Sequence, residues 1–231
     1  MRVHGVDRVL CLRFNEKLAA LSAEDFVNQV LHQGLGIKHL VVGDDFRFGA
    51  RRRGDFAMLQ RMGAVLGFDV ESMQTVMMDG ERVSSTRIRS ALMQGELDQV
   101  RHLTGRHYAI VGRVIHGDKL GRTIGFPTVN IRLHRRVAPI EGIYAVRISG
   151  ERIGMHDGVA YSGRRPTVSG EDHRLEVFIF DFDGDVYGQR LKVELLSFLR
   201  PDKKFDSLDE LKSQIAEDVD NARQYLADRV V

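Results

Sequence analysis

The spacing of apolar residues changes once along this chain, near Arg106, and that change constrains the fold more than any other feature. Before it, short β-branched runs alternate with helical periodicity: VDRVLCLRF at 6–14, a helix from Ser22, KHLVVG at 38–43, a helix from Gly54, then FDVESM at 68–73. Such alternation predicts a parallel sheet flanked by helices. Ser22 followed three residues on by Asp25 reads as a helix start, and Phe26, Val30 and Leu31 give that helix one apolar face. Two short helices should follow, one with Ile88 and Leu92 before Gly95, the other with Leu97, Val100 and Leu103 before Gly105. After Arg106 the period becomes two, in YAIVGRVIHG, GIYAVRISG, LEVFIFDF and LKVELLSFL, with turn-rich connections such as SGERIG and DFDGDVYG. Strands at that spacing predict a small closed antiparallel barrel, which leaves no unpaired edge. Leu208, Leu211, Ile215, Val219, Ala222 and Leu226 then describe one amphipathic helix packed against it. The expected organisation is an α/β domain over residues 1–105 and an all-β domain with a C-terminal helix over 106–231.

Composition removes several classes of function. The 231 residues are 43% hydrophobic, enough for two domains with cores of their own. Lys and Arg exceed Asp and Glu by only two, and the strands lack interleaved surface aromatics, so nothing calls for nucleic acid. Cys11 is the only cysteine, which rules out a disulfide frame or a thiolate metal cluster; its apolar surroundings predict a buried thiol. No apolar stretch approaches the roughly 20 residues of a spanning helix. The N-terminal MRVHGVDRVL lacks the apolar segment of a secretory signal, so the expected compartment is the cytoplasm and the expected partners are small molecules.

The stretch 117–130, GDKLGRTIGFPTVN, carries the chemistry. Gly117, Gly121 and Gly125 let a backbone turn tightly and bring its N–H groups close to an anion, while Lys119 and Arg122 can neutralise phosphate charge. Thr128 and Asn130 offer neutral oxygen ligands. Mg²⁺ needs few of these, because it keeps waters and takes the rest of its shell from substrate phosphates. Alternation along 175–182 puts Glu176 on the face opposite Leu175 and Val177; facing the glycine loop it could accept a proton from an attacking hydroxyl, and otherwise it is a solvent-facing strand glutamate. A second signal is VSSTRIR at 83–89, where Ser84, Ser85, Thr86, Arg87 and Arg89 open a helix. That pattern suits a phosphate at a helix N-terminus and equally suits an N-cap serine followed by a solvated basic face.

With these residues in view, the chain resembles the bifunctional prokaryotic riboflavin kinase/FAD synthetase family along essentially its whole length. GRTIGFPTVN is similar to the kinase signature whose core is Pro-Thr-Ala-Asn, with Val129 in place of the alanine. LEVFIFDF, the GRRPTV turn at 163–168 and Arg200 in FLRPDKKF complete the likeness. The resemblance implies that Thr128 and Asn130 hold Mg²⁺ and the ATP phosphates, and that the backbone from Gly117 to Gly125 wraps the nucleotide. It also implies that Glu176 activates the ribityl 5′-hydroxyl of riboflavin and that Arg200 closes over the flavin. In the first half it implies that VSSTRIR binds the triphosphate for adenylyl transfer to FMN, with Asp45 and Phe46 of VGDDFRFG touching flavin or nucleotide. Members of the family begin with a Gly-x-Phe-Asp-Gly-x-His-x-Gly-His type motif, which this sequence lacks. The expectation is therefore a riboflavin kinase making FMN, a partial nucleotidyltransferase domain with impaired adenylyl transfer, and self-association through that domain. The alternatives are a fully bifunctional enzyme and a flavin- or nucleotide-binding protein without turnover.

Overall fold

Side-chain caps set most of the helix starts in the first half of the chain. Asn15, Ser22 and Asp55 each accept a backbone N–H three residues on, from Leu18, Asp25 and Met58 respectively. In the computed structural model, which describes residues 5–117, 120–133, 138–167 and 170–228, the chain forms two compact units, Met1–Arg82 and Val83–Val231.

The first unit contains α1 (Glu16–Ala20), α2 (Ala23–Asp25), β1 (His39–Gly43), α3 (Phe56–Leu66), β2 (Asp69–Met73), β3 (Met77–Met78) and β4 (Glu81–Arg82). The strands β1 and β2 pair in parallel, from His39 opposite Asp69 to Gly43 opposite Met73, as the β/α alternation predicts. The helix expected from Ser22 is there, but beyond α2 it continues as a π-helix over Phe26–Gly34. The wider turn changes which side chains go inward: Val27 and Leu31 are buried, with Phe26 only packed against them. Residues 6–14 form no strand. Val9, Leu10, Leu12 and Phe14 are exposed, and so is Cys11, which corrects the expectation of a buried thiol. A β-branched, apolar run fits a strand but does not make one, since extended backbone needs a partner for its hydrogen bonds.

The second unit contains α4 (Ser85–Met93), α5 (Leu97–Thr104), β5 (Ala109–Ile115), α6 (Leu120–Thr123) and β6 (Thr128–Arg132). It continues with β7 (Gly142–Gly150), β8 (Gly154–Thr167), β9 (Gly170–Ile179), β10 (Arg190–Arg200) and α7 (Leu208–Ala227). Six strands close into the expected barrel in the order β10-β5-β6-β9-β8-β7. The 163–168 segment expected as a turn is strand as far as Thr167, with Gly163 opposite Arg174 and Thr167 opposite Gly170; Val168 lies outside the described residues.

Two apolar clusters use the two faces of the barrel wall. Ile131, Leu175, Val177, Leu191, Val193 and Leu195 are fully buried in the larger one. Leu92, Leu97 and Val100 of α4 and α5 join that same cluster, and Gly95 between them lies against the Phe198 ring of β10. With these contacts the second compact unit begins at Val83. On the other face Ile143, Ala145, Val159, Phe180 and Leu196 meet Val219, Ala222 and Leu226 of α7. Fully burying a side chain of this kind stabilises by about 1.5–3 kcal/mol. Leu208, at the helix start, is exposed instead. Tyr225 donates to the Leu196 carbonyl (3.0 Å), and Arg223 pairs with Asp181 through two hydrogen bonds of 3.0 and 2.9 Å, so α7 is held by polar contacts as well.

Candidate functional site

The strand β6 begins where the glycine loop ends, so the loop folds back on the two oxygen-bearing residues that follow it. A Cβ on Gly117 would stand 2.2 Å from Nδ2 and 2.8 Å from Oδ1 of Asn130, and one on Gly121 would stand 2.3 Å from the Phe126 carbonyl and 3.4 Å from Thr128 Oγ1. Glycine is therefore needed at both positions for close approach. The loop is not irregular throughout: α6 forms one turn, closed by the Phe126 N–H on the Gly121 carbonyl (2.8 Å), and Gly125 adopts φ +90° at its exit. Lys119 lies outside the described residues.

Strand register then decides what faces this loop. Asn130 is opposite Glu176 across β6 and β9, Glu176 is opposite Tyr161 across β9 and β8, and Thr128 is opposite Phe178. Directly opposed residues share a face of the sheet. Leu175 and Val177 fill the barrel core, which sends Glu176 to the outer face, where the glycine loop and α7 lie. A cavity of about 270 Å³ is formed there, with Gly121, Thr128 and Glu176 in its lining. Its apolar wall includes Phe126, Ile143, Val159 and Phe178 from the barrel side and Leu211 and Ile215 from α7. Thus the α7 stripe expected to pack on the barrel divides its work: Val219, Ala222 and Leu226 are buried against it, Ile215 both packs there and lines the cavity, and Leu211 lines the cavity.

Arg200, the last residue of β10, reaches the same cavity. Its Nε and Nη2 donate to the two carboxylate oxygens of Asp218 at 2.7 Å each, and Nη1 donates to the Pro201 carbonyl at 2.9 Å. Asp218 is buried and sits on α7 at helical spacing from Leu211 and Ile215. Tyr161 donates to Asp202 Oδ2 (2.9 Å), which joins β8 to the segment following β10. Gly163 leaves space for that phenol, since a Cβ there would stand 2.0 Å from the Tyr161 hydroxyl.

A second cavity, of about 410 Å³, is lined by Arg122, Pro127, Thr128, Val129, Asp185 and Tyr187, among others. The Tyr187 ring stacks on His116, just before the glycine loop, with ring centroids 3.9 Å apart. Thr128 lines both cavities. No cluster of three His, Cys, Asp or Glu side chains suited to a metal occurs among the described residues. The Thr128 and Asn130 oxygens under the glycine loop, with Glu176 on the neighbouring strand, suit a hard cation that draws most of its ligands from water and phosphate.

The structure therefore brings Gly117, Gly121, Thr128, Asn130, Glu176 and Arg200 to one side of the barrel, with Arg122 at the second cavity. The candidates in VGDDFRFG and VSSTRIR line neither cavity. In the first unit Asp45 accepts from Arg82 (3.0 Å); that hydrogen bond and the Arg82 charge hold its carboxyl below the usual carboxylate range. Phe46 stacks on Phe48, with centroids 5.6 Å apart. In the second unit Ser84 is the N-cap of α4, accepting from the Arg87 N–H (3.2 Å), while Ser85, Thr86 and Arg89 are exposed on its first turns. Asp218, Tyr161, Asp202 and Tyr187 were not found from the sequence. Asp218 alone left a signal there, a carboxylate within an apolar helical stripe.

Known proteins similar to this chain cover both of its halves. A riboflavin kinase family model matches residues 104–226, and an FAD synthetase family model matches residues 1–87. A bifunctional riboflavin kinase/FMN adenylyltransferase of Escherichia coli (strain K12) is 49% identical over 221 residues, covering 96% of this chain and 71% of that protein. The protein of the same description from Pseudomonas fluorescens is 50% identical over 226 residues, covering 96% and 72%. A solved structure from Streptococcus pneumoniae, described as a macrolide-efflux protein, superposes with a TM-score of 0.74 at 33% identity, covering 94% of this chain and 70% of that one. Among the described residues here, no helix is long and apolar enough to cross a membrane. By sequence match along both halves, the chain belongs to the bifunctional riboflavin kinase/FMN adenylyltransferase family, with its riboflavin kinase domain over residues 104–226.

Proposed function

We propose that residues 106–231 transfer the γ-phosphate of ATP to the ribityl 5′-hydroxyl of riboflavin, giving FMN, and that residues 1–105 are the nucleotidyltransferase part. The observation that carries this reading is the position of Thr128, which lines two cavities of different character. The 270 Å³ cavity has aromatic and aliphatic walls suited to the flat flavin ring, with Glu176 in its lining. The 410 Å³ cavity has Arg122 and Tyr187 in its lining and the glycine loop beside it, which suits a nucleotide. A phosphoryl group passing between ligands so placed crosses at Thr128. Glu176 accepts the proton of the attacking hydroxyl, the glycine loop orients the phosphates, and Arg200 holds the flavin. Thr128 and Asn130 would hold Mg²⁺, which would supply charge neutralisation at the phosphates. Phosphoryl transfer is served by positioning and charge neutralisation more than by covalent help, and these residues supply both.

Adenylyl transfer from ATP to FMN, giving FAD, is the second reading. It is favoured by the FAD synthetase match over residues 1–87 and by the two activities in the names of the relatives. One assay separates the readings: purified protein with riboflavin, ATP and Mg²⁺, and the flavins resolved by chromatography. FMN alone supports the kinase with impaired adenylyl transfer, FMN with FAD supports both activities, and neither product supports a silent binder. Exposed Val9, Leu10, Leu12 and Phe14 support self-association through the first unit, which light scattering would register as a mass above that of one chain. The cytoplasm is the proposed compartment.

A further inference from the structure

We propose that Asp218 is a positioning residue for riboflavin binding: it fixes the Arg200 guanidinium in the cavity beside Glu176, and so sets the affinity for the flavin without taking part in phosphoryl transfer. This rests on the reading of that cavity as the flavin site.

The argument begins with the donor count. A guanidinium has five N–H groups in one plane. Asp218 accepts from Nε and from Nη2, each at 2.7 Å, and the Pro201 carbonyl accepts from Nη1 at 2.9 Å. One N–H on Nη1 and one on Nη2 then remain without an acceptor among the described residues. Arg200 and Asp218 both line the 270 Å³ cavity and are largely buried, with side chains 19% and 5% exposed. Two hydrogen bonds from a single carboxylate fix the plane of the guanidinium as well as its position. The remaining donors are thereby presented in a set direction to a planar ligand whose rim carries carbonyl or ring-nitrogen acceptors, as an isoalloxazine does.

The position of Asp218 on α7 gives this pair its second function. Leu211 and Ile215, on the same helical stripe, form the apolar wall of the cavity, and Gln214 Nε2 lies 3.4 Å from Asp218 Oδ1. Phe205 lies under the guanidinium, with its ring centroid 5.9 Å from Arg200 Cζ. The ion pair between β10 and α7 therefore sets the polar donor and the apolar wall in one geometry, before any ligand arrives. Paying the ordering cost in the free protein is what gives affinity to a preorganised site.

Breaking a buried ion pair also costs stability, so a fall in Tm alone does not separate positioning from a structural role. The test is a double-mutant cycle in the full chain, reading KM for riboflavin and kcat for FMN formation in wild type, R200Q, D218N and R200Q/D218N. The expected result is a KM for riboflavin raised on the order of tenfold in D218N, the scale of one charge-assisted hydrogen bond, with kcat within about twofold of wild type. The double variant should show no greater KM than R200Q alone. A KM unchanged in D218N, or effects of D218N and R200Q that multiply, would overturn the proposal. Should D218N not fold, D218E keeps the charge but displaces the guanidinium by one methylene; it should raise KM with little loss of Tm, and a wild-type KM in D218E overturns the proposal equally. Wild-type protein that makes no FMN would overturn the functional reading itself, and this inference with it, whereas FMN formation with an unmoved KM sinks only the role of Asp218.

Discussion

The two compact units differ in how their strands find partners. In Val83–Val231 six strands close on themselves, so every barrel strand has a neighbour on each side, and apolar clusters cover both faces of the wall. In Met1–Arg82 the parallel sheet has two strands, β1 and β2, and a run of strand-forming residues at 6–14 is exposed without pairing. Similar β-branched sequence thus gives strand in one unit and irregular backbone in the other. What separates them is the availability of partners: ladder hydrogen bonds and cross-strand contacts, more than local propensity, decide whether extended chain becomes sheet. The closed unit is also where the candidate catalytic residues stand in fixed register, because register along a barrel leaves Asn130, Glu176 and Tyr161 no freedom to slip past one another.

The sharpest way to break this comparison is to remove chemistry from the rigid unit without touching its packing. Glu176→Gln should lower kcat for FMN formation by roughly 10²- to 10⁴-fold, the usual contribution of a positioned general base, while thermal unfolding stays as in wild type. A variant with near wild-type kcat would remove Glu176 as the base. Gly117→Ala should come next. A Cβ there would stand 2.2 Å from the Asn130 amide, so either the loop or Asn130 must move. Displacements near 1 Å around a reacting centre cost up to about 10²-fold, and we expect a fall in kcat/KM for ATP of about tenfold or more, with KM for riboflavin much less affected. Equal loss toward both substrates would mean that the loop supports the whole cavity and has no special relation to the nucleotide.

The same contrast explains how much could be read from the sequence. Barrel strands β5, β7, β9 and β10 were legible because each keeps a period of two over a segment whose inner face is buried, and α7 was legible from its stripe. The long strand β8 was not. It contains Gly163 and Pro166, which read as a turn, yet its glycines are there for close approach: a Cβ would stand 2.4 Å from the Phe178 carbonyl at Gly158 and 2.0 Å from the Tyr161 hydroxyl at Gly163. The π-helical turn at Phe26–Gly34 was hidden because apolar spacing is read at 3.6 residues per turn. At the candidate site, Gly117, Thr128, Asn130 and Glu176 came from motif and alternation. Asp218, Tyr161 and Asp202 did not, since hydrogen bonds between residues this far apart in sequence depend on the closed barrel and leave little local pattern.

A smaller effect tests the stability side of the comparison. Limited proteolysis should cut first within residues 6–14, whose side chains are exposed and whose backbone pairs with no strand, and only afterwards within the barrel. Mass spectrometry of the early fragments would show the order, with a several-fold difference in cleavage rate. First cuts in Val83–Val231 would show that the exposed run is protected, and equal rates would point to the same conclusion through association of the first units.

The smallest effect concerns two exposed arginine–carboxylate pairs, one taken from each unit: Asp45 with Arg82, and Asp181 with Arg223. Hydrogen bonding to arginine holds both carboxyls below the ordinary value of 3.8. A carboxyl whose folded pKa is depressed adds stability above its unfolded pKa and loses that contribution as pH falls through the folded one. D181N and D45N should therefore unfold slightly more easily than wild type near neutral pH, and the difference should vanish as pH falls below 3.8. Solvent and salt screen both pairs, so the shift in Tm is small and should shrink further at high ionic strength. The two should still be unequal. Arg223 also lies over the Phe180 ring, 4.3 Å from its centroid, and belongs to the helix that covers the barrel, so losing Asp181 loosens a contact joined to a buried cluster. Arg82 ends a two-residue strand in the less enclosed unit. A larger effect of D45N than of D181N would reverse the ranking of the two units that their strand pairing implies.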